Sequence, residues 1–430
     1  MKRIIVVGGG AGGLELVTKL GHKLGKRGEA EVILVDRSRT HIWKPLLHEV
    51  ATGSLDINTD GINYRAHSAR HYYQYQLGTM IGMDAESKSI ELEALLDEEG
   101  HEILPVRSLS YDILVLAVGS VSNDFGTPGV KENCYFLDSH KQAERFQQAL
   151  LNQFLRVHQT SGNDAKLKLA IVGAGATGVE LAAELNHVAD LLKAYGMRNM
   201  SSRRMEVSLI EAGGRILPAL PERIALLARK ELSRLGVKVS EDTRIVRATD
   251  QGFLTADENT IEADLMVWAA GVKAPDFIKN IEGLETNRAN QILVKQNLQA
   301  TQLETVYVIG DCCACELADG KFVPPRAQSA HQMASLVGDN IVASFTDKPL
   351  KEFKYNDHGS LVNLSRYSTV GSLMGNLSSK SMFVEGRIAR FVYVSLYRMH
   401  QIAIHGWIKA LLIMSVKRIS KAVKPKMKLH

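Results

Sequence analysis

A short apolar run, Ile4-Ile5-Val6-Val7, feeds directly into Gly8-Gly9-Gly10-Ala11-Gly12-Gly13, and the same arrangement returns as Leu169-Ala170-Ile171-Val172 followed by Gly173-Ala174-Gly175-Ala176-Thr177-Gly178. Each loop reads Gly-x-Gly-x-x-Gly between a strand pattern and a helix pattern. The first glycine permits a tight turn, the second lets a pyrophosphate approach the backbone, and the third lets helix pack on strand. The anion then rests on a helix N-terminus, where free N–H groups and the helix dipole favour negative charge. One such match is weak. Two in the correct strand–loop–helix context point to two dinucleotides bound at once.

Each loop is followed by a second strand pattern ending in an acid: Glu31-Val32-Ile33-Leu34-Val35 ends at Asp36, and Val207-Ser208-Leu209-Ile210 ends at Glu211. A carboxylate there accepts bonds from a ribose 2′-hydroxyl and repels a 2′-phosphate. The plainer reading is an acid that caps a strand end. Arg215 lies near enough in sequence to Glu211 to soften a preference for the unphosphorylated ribose.

Both units close alike. Tyr111 to Val118 is a buried-strand pattern reaching Gly119, and Ala263 to Ala270 reaches Gly271. Glycine loop, acid-ended strand and glycine-ended strand thus form an internal repeat at domain scale. A helical pattern from Asp138 to Gln159 and the polar linker Thr160-Ser161-Gly162-Asn163 lie between the halves. A third signature, Thr305-Val306-Tyr307-Val308-Ile309-Gly310-Asp311, places a carboxylate at a strand's end beside the crevice where cofactors lie; a strand-end aspartate capping a helix is the alternative.

The chain has 430 residues, enough for two or three domains. Its net charge of +5 conceals an asymmetry. Ten Lys and Arg and no acid follow Glu385, which leaves 42 basic against 47 acidic groups in residues 1–385, a net of −5. An acidic body with a basic tail suits attachment to an anionic surface. Three of the four cysteines cluster as Cys312, Cys313 and Cys315, spacing that fits neither a disulfide framework nor a paired zinc knuckle, so they read as small buried residues and no metal site is assigned. Met1-Lys2-Arg3 resembles a signal-peptide start, but the run behind it becomes the glycine loop.

The late Gly310-Asp311 resembles that of the two-dinucleotide-binding flavoprotein reductases, where it holds the flavin ribityl chain. The disulfide reductases among them carry a cysteine pair after the first acid-ended strand. Here that region reads His41-Ile42-Trp43-Lys44-Pro45-Leu46-Leu47-His48-Glu49-Val50, without cysteine. Over nearly its whole length the chain resembles the type II NADH:quinone oxidoreductases, single-subunit, non-pumping respiratory dehydrogenases of the proteobacterial type. The likeness is most specific at Trp43-Lys44-Pro45-Leu46-Leu47 and at Ala327-Gln328-Ser329-Ala330-His331-Gln332.

That resemblance implies an α/β fold of two Rossmann-like domains, organised as in glutathione reductase, with a C-terminal membrane-associating region. It implies an FAD domain at 1–125 completed by 286–345, an NADH domain at 126–285 and a C-terminal domain at 346–430. Gly8, Gly10, Gly12, Gly13, Asp36, Lys44, Pro45, Gly119 and Asp311 fall to FAD, and Gly173, Gly175, Gly178, Glu211 and Gly271 to NADH. Gln328 and Gln332 match the family's flavin- and quinone-pocket glutamines; their i, i+4 spacing puts both amides on one helix face. Two solvent-facing glutamines at a helix start are the alternative. Glu180 matches a glutamate proposed to assist proton delivery to quinone, although a positive helix end alone would also favour an acid. Lys44 either favours negative charge on reduced flavin or is simply solvated. Lys380 aligns loosely with a basic residue near the quinone slot and is not assigned; His400 and His405 read as interface residues.

Gln401 to Val416 contains His405 and Lys409, too polar for a bilayer span. On a helical wheel Ile404, Ile408, Leu411, Leu412 and Ile419 share one side, Lys409, Lys417, Lys421 and Lys424 collect opposite, and Pro425 should end the helix. Trp407 suits an interface. The expected partners are NADH, quinone and the cytoplasmic face of the inner membrane, met peripherally through this basic helix. An ordinary amphipathic helix against the body is the alternative; nucleic acid is not expected, since aromatic interleaving is sparse. The resemblance also implies a homodimer. A soluble flavin NADH oxidase or ferredoxin reductase would share the loops without needing the tail. A nucleotide-sensing interaction protein with slow turnover is the non-enzymatic alternative.

Overall fold

The strand Lys2–Val7 is wholly apolar from Ile4 onward and lies at the centre of a five-stranded parallel sheet in the order 306–308, 113–116, 2–7, 30–36, 74–77. Strands buried on both faces carry no polar alternation, which is why residues 4–7, 32–35 and 113–116 read as continuous hydrophobic runs. The computed structural model describes residues 1–159, 166–192, 197, 204–364, 369–374, 381–385 and 397–423. The linker at 160–163, Lys380 and Pro425 lie outside the described residues.

The second sheet repeats the plan: 238–240, 205–210, 167–172 and 265–268 pair in parallel. In both, the glycine-loop strand is flanked by the acid-ended strand and by the strand reaching Gly119 or Gly271. Each unit also carries a three-stranded antiparallel meander, 80–84, 89–92 and 107–110 in the first and 245–249, 252–255 and 260–262 in the second. A two-stranded ribbon, Val121–Ser122 against Val272–Lys273, ties the units together. Val306–Val308 extends the first sheet, pairing Leu114 with Val306, although about 190 residues, the second unit among them, intervene.

The helix Ala11–Lys23 packs its buried Leu14, Leu16, Val17 and Leu20 onto the first sheet. Full burial of each such side chain contributes roughly 1.5–3 kcal/mol. The same helix meets the late helix Ala327–Ser344 so closely that a Cβ on Gly12 would stand 2.9 Å from the Ala330 carbonyl oxygen. The chain then forms an antiparallel sheet, Gly359–Asn363, Thr369–Met374 and Ser381–Glu385.

The C-terminal region departs from a single wheel over 401–416. Residues 397–405 form one helix, Gly406 takes φ +76°, and a new helix runs Trp407–Val423. The break divides the proposed stripe. Ile404 is fully buried against the body, whereas Trp407, Ile408, Leu411, Leu412, Val416 and Ile419 are each half or more exposed. Among the described residues no helix is long and apolar enough to cross a membrane.

Candidate active site

The two glycine loops have nearly superimposable chemistry. Gly8 and Gly173 both sit at φ +100°, a region closed to L side chains, and a Cβ on Gly8 would lie 2.3 Å from the Ala117 carbonyl oxygen. The third glycines are packing positions: a Cβ on Gly13 would stand 1.8 Å from Gly8 O, and one on Gly178 2.0 Å from Gly173 O. The middle glycines differ. Gly10 and Gly175 are extended N-caps without a side-chain cap bond, and a Cβ on either would meet nothing within 4 Å. Each helix therefore presents its N-terminus to a gap that an anion can enter, as the phosphates of FAD and NADH require.

The acids brace these loops. Gly9 N–H donates to Asp36 Oδ2 at 2.6 Å and Ser38 N–H to Oδ1 at 2.7 Å. In the second unit Ala174 N–H donates to Glu211 Oε2 and Gly213 N–H to Oε1, both at 2.9 Å. Burial pushes the Asp36 carboxyl upward against the pull of its two N–H bonds. A carboxylate has about four lone-pair sites, so bracing a loop leaves room for a ribose hydroxyl. Loop brace and ribose acceptor are compatible roles for one carboxylate.

Asp311 follows the edge strand and accepts a 2.7 Å bond from Ser120 Oγ, the residue after Gly119 (φ +71°). Lys44 reaches the same place. Its Nζ donates to the Ser120 carbonyl at 2.8 Å and Ser120 Oγ at 3.2 Å. The lysine is exposed, as is Pro45 beside it, yet its ammonium is tied to Ser120, so that Lys44, Ser120 and Asp311 form one relay. Gly271, at φ +64°, ends the matching strand under Phe125.

Glu180 lies past the first turn of the helix Ala176–Leu191, so the helix dipole does not account for it. It is 6% exposed, and its Oε2 stands 3.5 Å from His48 Nδ1 on the helix Leu47–Ala51 that follows the Pro45-Leu46 turn. Burial pushes His48 down to about 4, so it faces Glu180 as a neutral imidazole at physiological pH. One turn on, Glu184 accepts a 2.6 Å bond from Ser54 Oγ. The contacts made by Glu180 therefore join the first unit to the second.

Gln328 and Gln332 do share one helix face, and both amides are spoken for. Gln328 Nε2 donates to Asp357 Oδ1 at 3.1 Å and the Gly359 carbonyl at 3.2 Å, while its Oε1 accepts from His358 N–H. Gln332 exchanges two bonds with the Asn356 backbone. The pair, each half-buried, zips the chain entering the C-terminal sheet onto the late helix. Cys312, Cys313 and Cys315 are buried in the first core, and burial pushes the Cys312 thiol up to about 12.

Sequence reasoning passed over Glu15 and Tyr64, met His41 only as part of its segment, and read His400 as an interface residue. Glu15 is 8% exposed on the glycine-loop helix and accepts from His331 Nδ1 at 2.5 Å and His400 Nδ1 at 2.7 Å. An acid between Leu14 and Leu16 on a buried helix was the available signal. Nothing local pairs it with a residue 385 positions away.

A family model for the pyridine nucleotide-disulphide oxidoreductases matches residues 2–334. The class of the chain is therefore a two-dinucleotide oxidoreductase. The type II NADH:quinone oxidoreductase of Haemophilus influenzae is 48% identical over 444 residues, covering 100% of each protein. Its counterpart from Staphylococcus saprophyticus is 27% identical over 382 residues, covering 87% of this chain and 90% of that one. NDH2 from Plasmodium falciparum in complex with NADH is 19% identical and shares the fold, with a TM-score of 0.82 over 99% of this chain and 100% of that one. Within its class the chain belongs to the type II NADH:quinone oxidoreductases.

Proposed function

We propose that this chain is a peripheral membrane flavoenzyme that oxidises NADH through bound FAD and reduces a membrane quinone, without pumping protons. The paired glycine loops, each with an open middle glycine at an uncapped helix start, carry this reading, together with full-length identity of 48% to an enzyme of that name. Bound FAD supplies the two-electron exchange, first with NADH and then with quinone.

The remaining work falls to the protein. Residues 1–125 with 286–345 hold FAD: Gly8, Gly10, Gly12 and Gly13 form its phosphate cradle, Asp36 takes the ribose, and Gly119 with Asp311 lines the ribityl side. Addition of Val306–Val308 to the first sheet supports returning 286–345 to that domain. Lys44 orients Asp311 through Ser120, and Pro45 starts the turn that carries His48 to Glu180. Residues 126–285 hold NADH through Gly173, Gly175 and Gly178, with Glu211 on the ribose and Gly271 beside the nicotinamide crevice. Glu180 holds the proton that reduced quinone requires. Gln328 and Gln332 frame the quinone slot by fixing the 356–359 segment against the late helix.

Residues 346–430 meet the membrane. The exposed stripe from Trp407 to Ile419 supports insertion at headgroup depth. The ten basic groups after Glu385 favour an anionic leaflet by about 1 kcal/mol each, on the cytoplasmic face of the inner membrane. Two copies associate as a homodimer, which sedimentation of the detergent-free enzyme tests. Steady-state turnover tests the main reading: NADH oxidation with a short-chain quinone should exceed oxidation by oxygen or a ferredoxin at least a hundredfold. Preference for oxygen would make the chain an NADH oxidase instead.

A further inference from the structure

Four buried groups form a continuous hydrogen-bonded chain between the C-terminal helix and the first glycine loop. Glu15 Oε1 meets His400 Nδ1 at 2.7 Å, His400 Nε2 meets His41 Nε2 at 3.0 Å, and His41 Nδ1 meets the Gly9 carbonyl oxygen at 2.8 Å. The His400 and His41 residues are 2% and 4% exposed.

Proton counting fixes the direction of every bond. A carbonyl only accepts, so His41 Nδ1 carries the hydrogen. Burial pushes His41 down to about 3, reinforced by its neighbour His400, so the ring is neutral and its Nε2 is an acceptor. His400 Nε2 must then donate. Its Nδ1 faces a carboxylate, and a second proton lies on that bond. Burial alone would raise Glu15, but hydrogen bonds from His331 and His400 hold it below the ordinary value. Glu15 is therefore the acceptor of that bond, and Trp43 packs over the His400 ring at 4.3 Å between ring centroids. Leaving any of these groups unpaired in this interior costs the full desolvation of a polar or charged atom.

The chain ends on an informative atom. The Gly9 carbonyl accepts from Tyr64 Oη at 2.6 Å as well as from His41, while Gly9 N–H is held by Asp36. A planar trans peptide directs its N–H opposite to its carbonyl, so pinning this oxygen aims Gly10 N–H away from His41 and Tyr64. Gly10 is the glycine with empty space above it.

We infer that His400 and His41 are positioning residues of the FAD site, through which the C-terminal region fixes the peptide that offers Gly10 N–H to the FAD pyrophosphate. The inference rests on the FAD reading above. It gives the C-terminal helix 397–405 a task separate from membrane attachment: completing the flavin cradle of the first domain.

The test is the rate of FAD release from the full-length holoenzyme after dilution, followed by the rise in free-FAD fluorescence. Gln places its amide nitrogen near the His Nε2 position and Asn places it near Nδ1. His400→Gln therefore keeps the bond to His41, and its release should stay within about twofold of wild type. His400→Asn keeps Glu15 company but abandons His41, and release should quicken about tenfold, the worth of one buried hydrogen bond. His41→Phe should match His400→Asn, and combining the two should add nothing further. A helix that merely packs would give equal effects for Gln and Asn, or additive ones with His41→Phe, and either result overturns the proposal. If His400→Asn does not fold, Tyr64→Phe removes the second donor to Gly9 without changing volume. It should also quicken release, and unchanged release overturns the role of the pinned carbonyl. Wild-type protein that takes up no FAD at all would instead refute the functional reading itself.

Discussion

His48 Nδ1 stands 3.5 Å from Glu180 Oε2, across the junction between the segment that follows Pro45 and the helix that opens the second dinucleotide loop. Both side chains are nearly buried, at 2% and 6% exposure. A carboxyl group held there is shielded from bulk water and faces an imidazole that stays neutral at physiological pH. That pairing supports the proton-delivery role proposed for Glu180, which its position in the helix alone does not.

Glu180→Gln should separate the two half-reactions. It preserves shape and removes the exchangeable proton, so reduction of the flavin by NADH should persist while quinone turnover falls by roughly a hundredfold, the usual worth of a positioned acid or base. Stopped-flow measurement of both halves checks this. Equal loss in both would mean that Glu180 supports NADH binding rather than proton delivery.

Two glycines of one loop should fail differently. Gly13→Ala forces a Cβ to within 1.8 Å of the Gly8 carbonyl oxygen, a clash that displaces the helix from the sheet and lowers the melting temperature with or without FAD. Gly10→Ala meets nothing within 4 Å and lies at φ −63°, so the apo-protein should melt as wild type does. Its methyl instead occupies the space for pyrophosphate, and FAD affinity should drop at least tenfold. Normal FAD affinity in Gly10→Ala would move the phosphate elsewhere.

Acid should unfold this protein through its neutral histidines. Burial holds His41 at about 3 and His48 at about 4, against about 6.5 in an unfolded chain. Between those values the unfolded state binds protons that the folded state refuses, so stability falls as pH falls from 6.5. Each of these two wholly buried groups costs about 1.4 kcal/mol per pH unit over that window. Glu15, held low by His331 and His400, acts in the same direction only at lower pH still, since its stabilisation is present above the ordinary carboxylate value. Melting temperature measured from pH 7.5 to 5 should decline steadily below 6.5, and His48→Gln should flatten the slope. A level profile would mean that these rings are hydrated.

Ending the chain after Gly406 should detach the enzyme from vesicles of anionic lipid and leave its colour intact. The cut removes the exposed stripe from Trp407 to Ile419 but keeps His400 and the buried Ile404. Flotation with vesicles and the flavin absorbance of the unbound fraction measure both effects. Continued flotation would place the membrane contact elsewhere on the body.

Much of this architecture is written locally. The glycine loops, the acids at Asp36 and Glu211 and the strands reaching Gly119 and Gly271 are short-range patterns whose chemistry demands their spacing, so they are legible in the sequence alone. The edge strand at 306–308 was legible only through its Gly-Asp and a family resemblance, because strand pairing across about 190 residues leaves no periodicity in the sequence. Gln328 and Gln332 were placed on one face correctly, but their partners at 356–359 lie in a segment without a motif. The break at Gly406 was visible as a glycine and was smoothed over by treating Gln401 to Val416 as one helix. Glu15 with His400 was invisible. Each is an ordinary residue in its own segment, and only the tertiary contact turns them into a buried hydrogen-bonded pair.

Anaerobic stopped-flow mixing tests the central claim most directly. The purified protein should carry the yellow absorbance of oxidised FAD, lose it on mixing with one equivalent of NADH, and regain it when a short-chain quinone is added in the absence of oxygen. Protein that is colourless and takes up no FAD, or whose bleached flavin is not reoxidised by quinone, would contradict the account.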